Sequence, residues 1–175
     1  ISETLELLKK QNYRPLEIII IDDASTDNTI ELINLFIKKN LDKKLNIIFH
    51  SNKNNLGACY CRNYGIFLST GKYIQFLDSD DFLSSEKIST QVKILEDKNK
   101  QIAISDYVYV RNGEIIKKCK NNGNLFKKIS YGWSIFTAAP LFRSSLIKNQ
   151  IKWNEKLLML QDKDFIFRAV MLSGE

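Results

Sequence analysis

The chain holds one histidine, two prolines and seven glycines among 175 residues. With His50 alone, a His-based metal cage is excluded, and Ser25 and Ser79 lack the histidine partner that a Ser-His-Asp arrangement requires. So little glycine and proline excludes collagen-like or low-complexity character. Three cysteines are an odd count, which argues against a disulfide framework and for a reducing compartment. The longest aliphatic run, Ile18–Ile21, falls far short of the roughly 18 residues of a membrane span. No basic segment followed by an apolar stretch marks a signal peptide.

What is present suits a folded domain. Hydrophobic residues make up 44% of the chain and aromatics 11%, too much for a disordered tail and enough for a core at this length. The net charge is +6, with the densest basic stretch at Lys117, Lys118, Lys120, Lys127 and Lys128. Such a stretch reads either as a solvated face or as a surface for an anionic partner. Nucleic acid is not expected, because no nucleic-acid motif accompanies the charge.

The apolar spacing predicts alternating elements. A helix from Ser2, with Ser2 as its cap, runs to about Asn12; a strand over Leu16–Ile21, buried on both faces, stops at Asp22-Asp23. A helix fits Thr29–Lys39, a strand Leu45–His50, a helix Ala58–Ser69 and a strand Tyr73–Leu77 that ends at Asp78-Ser79-Asp80-Asp81. Ser84 or Ser85 caps a helix through about Asp97. Beyond it, Ile102–Val110 and Glu114–Lys117 read as a hairpin around Asn112-Gly113. A short strand near Phe136, a helix over Ser144–Asn149 and a last helix over Leu160–Leu172, closed by Gly174, complete the pattern. The alternation predicts an α/β fold: a mainly parallel sheet flanked by helices, with a smaller mixed region. No repeat or linker interrupts it, so residues 1–175 read as one domain.

Two predicted strands end in acidic clusters, Asp22/Asp23 and Asp78/Asp80/Asp81. Open parallel sheets bind ligands at the carboxyl ends of their strands. Clustered carboxylates there repel unless a cation lies between them, and hard cations such as Mg²⁺ or Mn²⁺ bind through one or two carboxylates plus substrate phosphates. Polar turns and helix caps also use aspartate, and Asp27 suits that role. His50 reads as a strand-end residue. Cys59 and Cys61, two apart, fit neither a zinc nor a redox spacing and read as packing residues. Trp133 and Trp153 suit either sugar stacking or core packing.

Several motif blocks in order carry a resemblance. Leu16–Asp27 resembles the nucleotide-binding segment of family 2 glycosyltransferases, which have the GT-A fold. Asn54-Asn55-Leu56-Gly57, Arg62-Asn63-Tyr64-Gly65 and Gly71–Asp81 resemble the family's central block, and Gln161-Asp162-Lys163-Asp164-Phe165 its late acidic motif. The match spans roughly residues 2–172.

The resemblance implies that Asp22 and Asp23 read the nucleotide base, Arg62 lies near base or phosphates, Asp78 approaches the ribose, Asp80 coordinates a divalent Mg²⁺ or Mn²⁺, and Asp162 is the general base. Asp164 competes for that last role, and Asp162 also suits a helix cap. The implied function is inverting transfer from a nucleotide-diphospho-sugar, a UDP-sugar above all, to a hydroxyl of a glycan or lipid-linked acceptor. The implied setting is bacterial surface polysaccharide biosynthesis, in the cytoplasm at the inner membrane face, with peripheral membrane association. A sugar-phosphate nucleotidyltransferase and a non-catalytic nucleotide- or glycan-binding module are the alternatives.

Residues 1–100 are the expected nucleotide-sugar half and 101–175 the acceptor half. Two departures accompany the resemblance. Gln161 stands where the family usually has Glu, and Ile1 opens in what resembles the family's first helix. The chain therefore reads as truncated at both ends, lacking the family's opening strand with its Pro-x-Tyr-Asn-like turn, and its donor affinity is expected to suffer.

Overall fold

The computed structural model describes residues 1–40, 45–121, 127 and 135–174. The β-branched run Leu16–Asp22 forms β1, and Leu45–Ser51 forms β2. They pair in parallel, in register from Leu16↔Leu45 to Asp22↔Ser51. A parallel pair needs a crossover, which α2 (Thr29–Lys39) supplies. Its Ile33 and Phe36 pack with Leu5 of α1 (Ser2–Lys9), Ile18 of β1 and Leu45 of β2 in one apolar cluster. In β1 only Ile18 and Asp22 are fully buried, so the strand is less enclosed than its continuous aliphatic run predicts.

α3 (Ala58–Leu68), β3 (Tyr73–Gln75), α4 (Lys87–Asp97) and β4 (Ile102–Ile104) follow. β5 (Tyr107–Arg111) and β6 (Glu114–Cys119) form an antiparallel ribbon. β7 (Pro140–Arg143), α5 (Ser144–Lys148) and α6 (Gln161–Ser173) close the order. β7 lies between β3 and β4 and is antiparallel to both. Side chains alternate across a strand, so β7 serves two cores. Leu141 packs with Leu95 of α4, while Phe142 packs with Phe165 and Ile166 of α6 and Ile147 of α5.

The expected α/β architecture is present, with local differences. Ser2 begins α1 and makes no cap hydrogen bond; α4 starts at Lys87, with Glu86 in the cap position. The arm expected over Ile102–Val110 is two strands. Ser105 N–H turns to the Ala139 carbonyl at 3.1 Å, and Asp106 accepts from the Asn121 N–H at 2.7 Å, so the chain leaves the sheet there. The strand expected near Phe136 lies at Pro140–Arg143, and Phe136 packs its ring on Tyr107 and Tyr109. Gly174 takes the left-handed cap conformation, φ 68°. Trp133 and Lys128 lie outside the described residues.

Candidate active site

β1 delivers Asp22 and Asp23 to its carboxyl end, where both become anchors. Asp22 is buried, and its Oδ2 accepts from Ser51 Oγ at 2.8 Å and from the Ser25 N–H at 3.3 Å. Asp23 Oδ1 accepts from Asn52 Nδ2 at 2.9 Å and from the Leu56 N–H at 2.8 Å, and its Oδ2 accepts from the Gly57 N–H at 2.8 Å. Burial pushes the Asp23 carboxyl up, but these hydrogen bonds outweigh it and hold the group below its ordinary range. Asp23 thus fastens the Asn52–Gly57 loop, and Gly57 at φ 89° makes the turn into α3. Asp27 accepts from the Thr29 N–H at 3.0 Å, a local turn role.

The second acidic cluster follows β3. Helix α1 and the turn after it brace the segment: Thr4 Oγ1 donates to the Ser79 carbonyl at 2.7 Å, and Gln11 Nε2, just past the helix, donates to the Ser84 carbonyl at 2.8 Å. Asp78 is half-buried and Asp80 exposed. Asp81 Oδ2 is buried without a hydrogen-bond partner. Burial first, then the charges of Asp78, Asp80 and Asp162, push the Asp81 carboxyl up to about 6. Asp162, remote in sequence, therefore belongs to the same field.

Arg62 on α3 joins these segments. Its Nη2 donates to Asp78 Oδ1 at 2.8 Å, and its Nη1 makes a longer contact to Gln161 Oε1 at 3.4 Å. The guanidinium lies 4.5 Å over the Trp153 ring, and that ring stacks on Phe165 at 4.1 Å. Next to it, Asn63 exchanges hydrogen bonds with the Trp153 backbone, at 2.7 Å and 2.9 Å. Trp153 is 2% exposed, so core packing with a cation above it is its role. Gln161 also donates from Nε2 to the Leu157 carbonyl at 2.8 Å, which a carboxylate could not do.

Asp162 lies in the first turn of α6, on an open depression of about 340 Å³ with Arg62, Leu158, Gln161 and Lys163. Asp164 is bound to Arg168 one turn on, which leaves Asp162 as the carboxylate facing the depression. His50 of β2 packs edge-on against Tyr64 of α3 at 4.7 Å. Cys59 and Cys61 are free thiols; burial, then the Asp23 charge, raises Cys61 to about 11, which suits packing and not reactivity.

Among the described residues, no three acidic, histidine or cysteine side chains form a ready metal cage. The acidic edge still fits a hard cation. Asp81 has an orphaned buried oxygen, and Asp78, Asp80 and Asp162 add like charge that a cation shared with phosphates would neutralise. Arg62 lies well placed because the spacing of Arg62-Asn63 sets both on one helix. Its bond to Asp78 and contact to Gln161, the buried Asp81 oxygen and the seat on the Trp153 ring were not legible in sequence, since they join residues up to 99 positions apart.

A parallel β1–β2 pair, with acidic clusters after β1 and β3 and the helix-borne Asp162 in the field of the second, is the layout of a GT-A nucleotide-sugar transferase domain. The sequence profile of Glycosyl transferase family 2 matches residues 1–167. The chain belongs to that family. It is 31% identical to the uncharacterized glycosyltransferase MJ1057 of Methanocaldococcus jannaschii, over 97% of this chain and 59% of that one. It is 37% identical to the UDP-Glc:alpha-D-GlcNAc-diphosphoundecaprenol beta-1,3-glucosyltransferase WfaP of Escherichia coli, over 66% of this chain and 43% of that one. The chain thus spans about half the length of these relatives. Among solved structures, the mannosyltransferase PcManGT of Pyrobaculum calidifontis, in complex with GDP-Man and Mn²⁺, shares the fold. Its TM-score is 0.76 at 18% identity, over 99% of this chain and 48% of that one.

Proposed function

We propose that this chain carries the donor site and the general base of an inverting glycosyltransferase acting on a nucleotide-diphospho-sugar. The observation that carries this reading is Arg62, which bonds Asp78 at the β3 edge and contacts Gln161, the residue before Asp162. A donor held at the acidic edge would then lie beside the one carboxylate of α6 that faces the depression. Residues 1–100 supply the donor side and 101–175 the acceptor side.

In the reaction, the acceptor hydroxyl oxygen attacks the anomeric carbon of the sugar. The bond from that carbon to the diphosphate oxygen breaks, and its electron pair leaves with the nucleoside diphosphate. Asp162 takes the hydroxyl proton as the new bond forms, since a carboxylate is far too weak a base to ionise an alcohol beforehand. One displacement with one base gives inversion. Asp80, with Asp81 behind it, would hold a divalent Mg²⁺ or Mn²⁺, which when bound offsets charge on the departing diphosphate, while Asp78, bonded to Arg62, approaches the ribose. Asp22 and Asp23 border the base pocket, and their hydrogen bonds make them its framework. Arg62 is aimed at the donor's ribose and phosphates through Asp78.

A UDP-sugar donor and a lipid-linked acceptor draw support from WfaP, whose name gives UDP-Glc as donor and a diphosphoundecaprenol-linked sugar as acceptor. Bacterial surface polysaccharide assembly at the cytosolic membrane face is the setting we infer with them. Mn²⁺ in the PcManGT complex supports the metal. Among the described residues no helix is long and apolar enough to cross a membrane.

The test is Asp162→Asn with a thermal-shift readout alongside turnover. Transfer should fall by about 10² or more, the usual weight of a general base. The midpoint shift given by UDP or GDP with Mn²⁺ should survive. Unchanged turnover would remove Asp162 from the base role.

A further inference from the structure

Gln161 precedes Asp162, and its side-chain amide is shared between two segments. Its Nε2 donates to the Leu157 carbonyl at 2.8 Å, and its Oε1 accepts a longer bond from Arg62 Nη1 at 3.4 Å. The two partners fix which way the amide faces, because a guanidinium only donates and a carbonyl only accepts. A carboxylate at this position would keep the Arg62 bond and lose the Leu157 one.

The turn that the amide closes has little else to hold it. Leu158, Met159 and Leu160 are 94%, 78% and 67% exposed, so packing scarcely sets their path. Leu160 has a left-handed backbone, φ 58° and ψ 26°, which a leucine adopts only where its surroundings impose it. On one side of the turn the Leu157 N–H donates to the Asn154 carbonyl at 3.1 Å; on the other the Asp164 N–H donates to the Leu160 carbonyl at 3.0 Å. The Gln161 bond to Leu157 ties these two sides together across the extruded residues. Asp162 stands directly after this closure, in the first turn of α6. Arg62 is anchored differently: Asp78 at 2.8 Å and the Trp153 ring at 4.5 Å hold it without help from Gln161.

We propose that Gln161 is a positioning residue for the general base. Its amide locks the turn from Leu157 to Gln161 and so fixes where Asp162 meets the acceptor hydroxyl, while Arg62 orients the amide from the donor side. This role rests on the reading of Asp162 as the base and adds the residue that holds it in place. The uneven anchoring sets the direction of the effect. Loss of the amide should reach Asp162, and hence turnover, and should leave Arg62 and donor affinity nearly as they were.

The experiment compares the parent protein with Gln161→Met, which keeps the length and loses both bonds, and Gln161→Glu, which keeps the Arg62 bond alone. Hydrogen–deuterium exchange is read first, without ligand. In both variants the amides of Leu157 and Asp164 should exchange at least about tenfold faster, as for loss of one hydrogen bond. The melting temperature should stay within about 4 °C of the parent's. Turnover is then read with UDP-glucose and a lipid-diphosphate-linked GlcNAc, the pair named for WfaP. In both variants kcat should fall about tenfold or more, while the Kd for UDP with Mn²⁺ stays within about threefold by titration calorimetry. Unchanged exchange in both variants overturns the proposal without any turnover assay. Faster exchange with unchanged kcat overturns it too, leaving Gln161 a residue of the fold alone. A kcat loss matched by an equal loss of donor affinity places Gln161 in the donor site instead. Asp162→Asn, run alongside, keeps the two readings apart. Turnover that survives that change refutes the base assignment, whereas turnover lost there and kept in both Gln161 variants refutes only the positioning role.

Discussion

Arg62 Nη2 lies 2.8 Å from Asp78 Oδ1, and the same guanidinium rests on the buried Trp153 ring. The pair links α3 to the acidic loop after β3, and the Gln161 contact extends the link to α6. Arg62 is only 14% exposed, so its charge is directed by packing, with aromatic rings beneath it and carboxylates in front. Substitution Arg62→Ala should leave Asp78 without its cation and loosen the approach of α6. Donor affinity should fall about tenfold or more, as for loss of a charge-assisted hydrogen bond. Titration calorimetry with UDP and Mn²⁺ measures it; Arg62→Lys should rescue poorly, because lysine lacks the planar fork that stacks and bonds at once.

Trp153 supplies the seat. Trp153→Ala should destabilise the fold by about 3–5 kcal/mol, the usual cost of emptying a buried aromatic site. Trp153→Phe keeps a ring on Phe165 and should retain most stability while weakening the cation contact. Urea unfolding of both variants, set beside donor affinity, separates the packing role from the positioning role.

Asp23 predicts a different outcome from a residue that only reads a base. With three protein donors on its carboxylate, Asp23→Asn should cost about 1–2 kcal/mol even without ligand, at the modest end because the group is partly exposed. Its folded carboxyl is held below its ordinary value of 3.8, so its contribution is present above that pH and fades as pH falls through the lowered value. Urea midpoints of the two proteins should therefore converge under acid. An unchanged midpoint at pH 7 would leave Asp23 as a ligand group alone.

Asp81 has the opposite sign. Its carboxyl is raised from 3.8 to about 6, so between these values the folded state holds more protons than the unfolded one. Without metal, stability from this group should fall as pH rises from about 4 to 6 and stay low above that. Asp81→Asn should flatten the fall and raise the melting temperature at pH 7 in the presence of a chelator. Mn²⁺ should raise the melting temperature of the parent protein and do less for the variant. A parent protein that Mn²⁺ leaves unmoved at pH 7 would argue against a cation at this edge.

The helices α2, α3 and α6 and the strands β1 and β2 were readable within a residue or two, because apolar spacing at 3.6 or continuous β-branched runs are properties of neighbours in the chain. The motif blocks and their order named the family, which the profile over residues 1–167 bears out. They also put Asp22, Asp23, Arg62, Asp78, Asp80 and Asp162 on the candidate list. Spacing could not reveal that β3 pairs with β7, nor that Ile102–Val110 divides between a central sheet and a ribbon. Those depend on which distant strand offers the better-packed face. Nor did residue type reveal the division of labour among the acids. Asp23 is held by three donors, Asp164 by Arg168 and Asp78 by Arg62, while half-buried Asp81 keeps one buried oxygen unpartnered. An aspartate's role is set by the donors and charges brought around it, and here folding recruits those from segments scores of residues away.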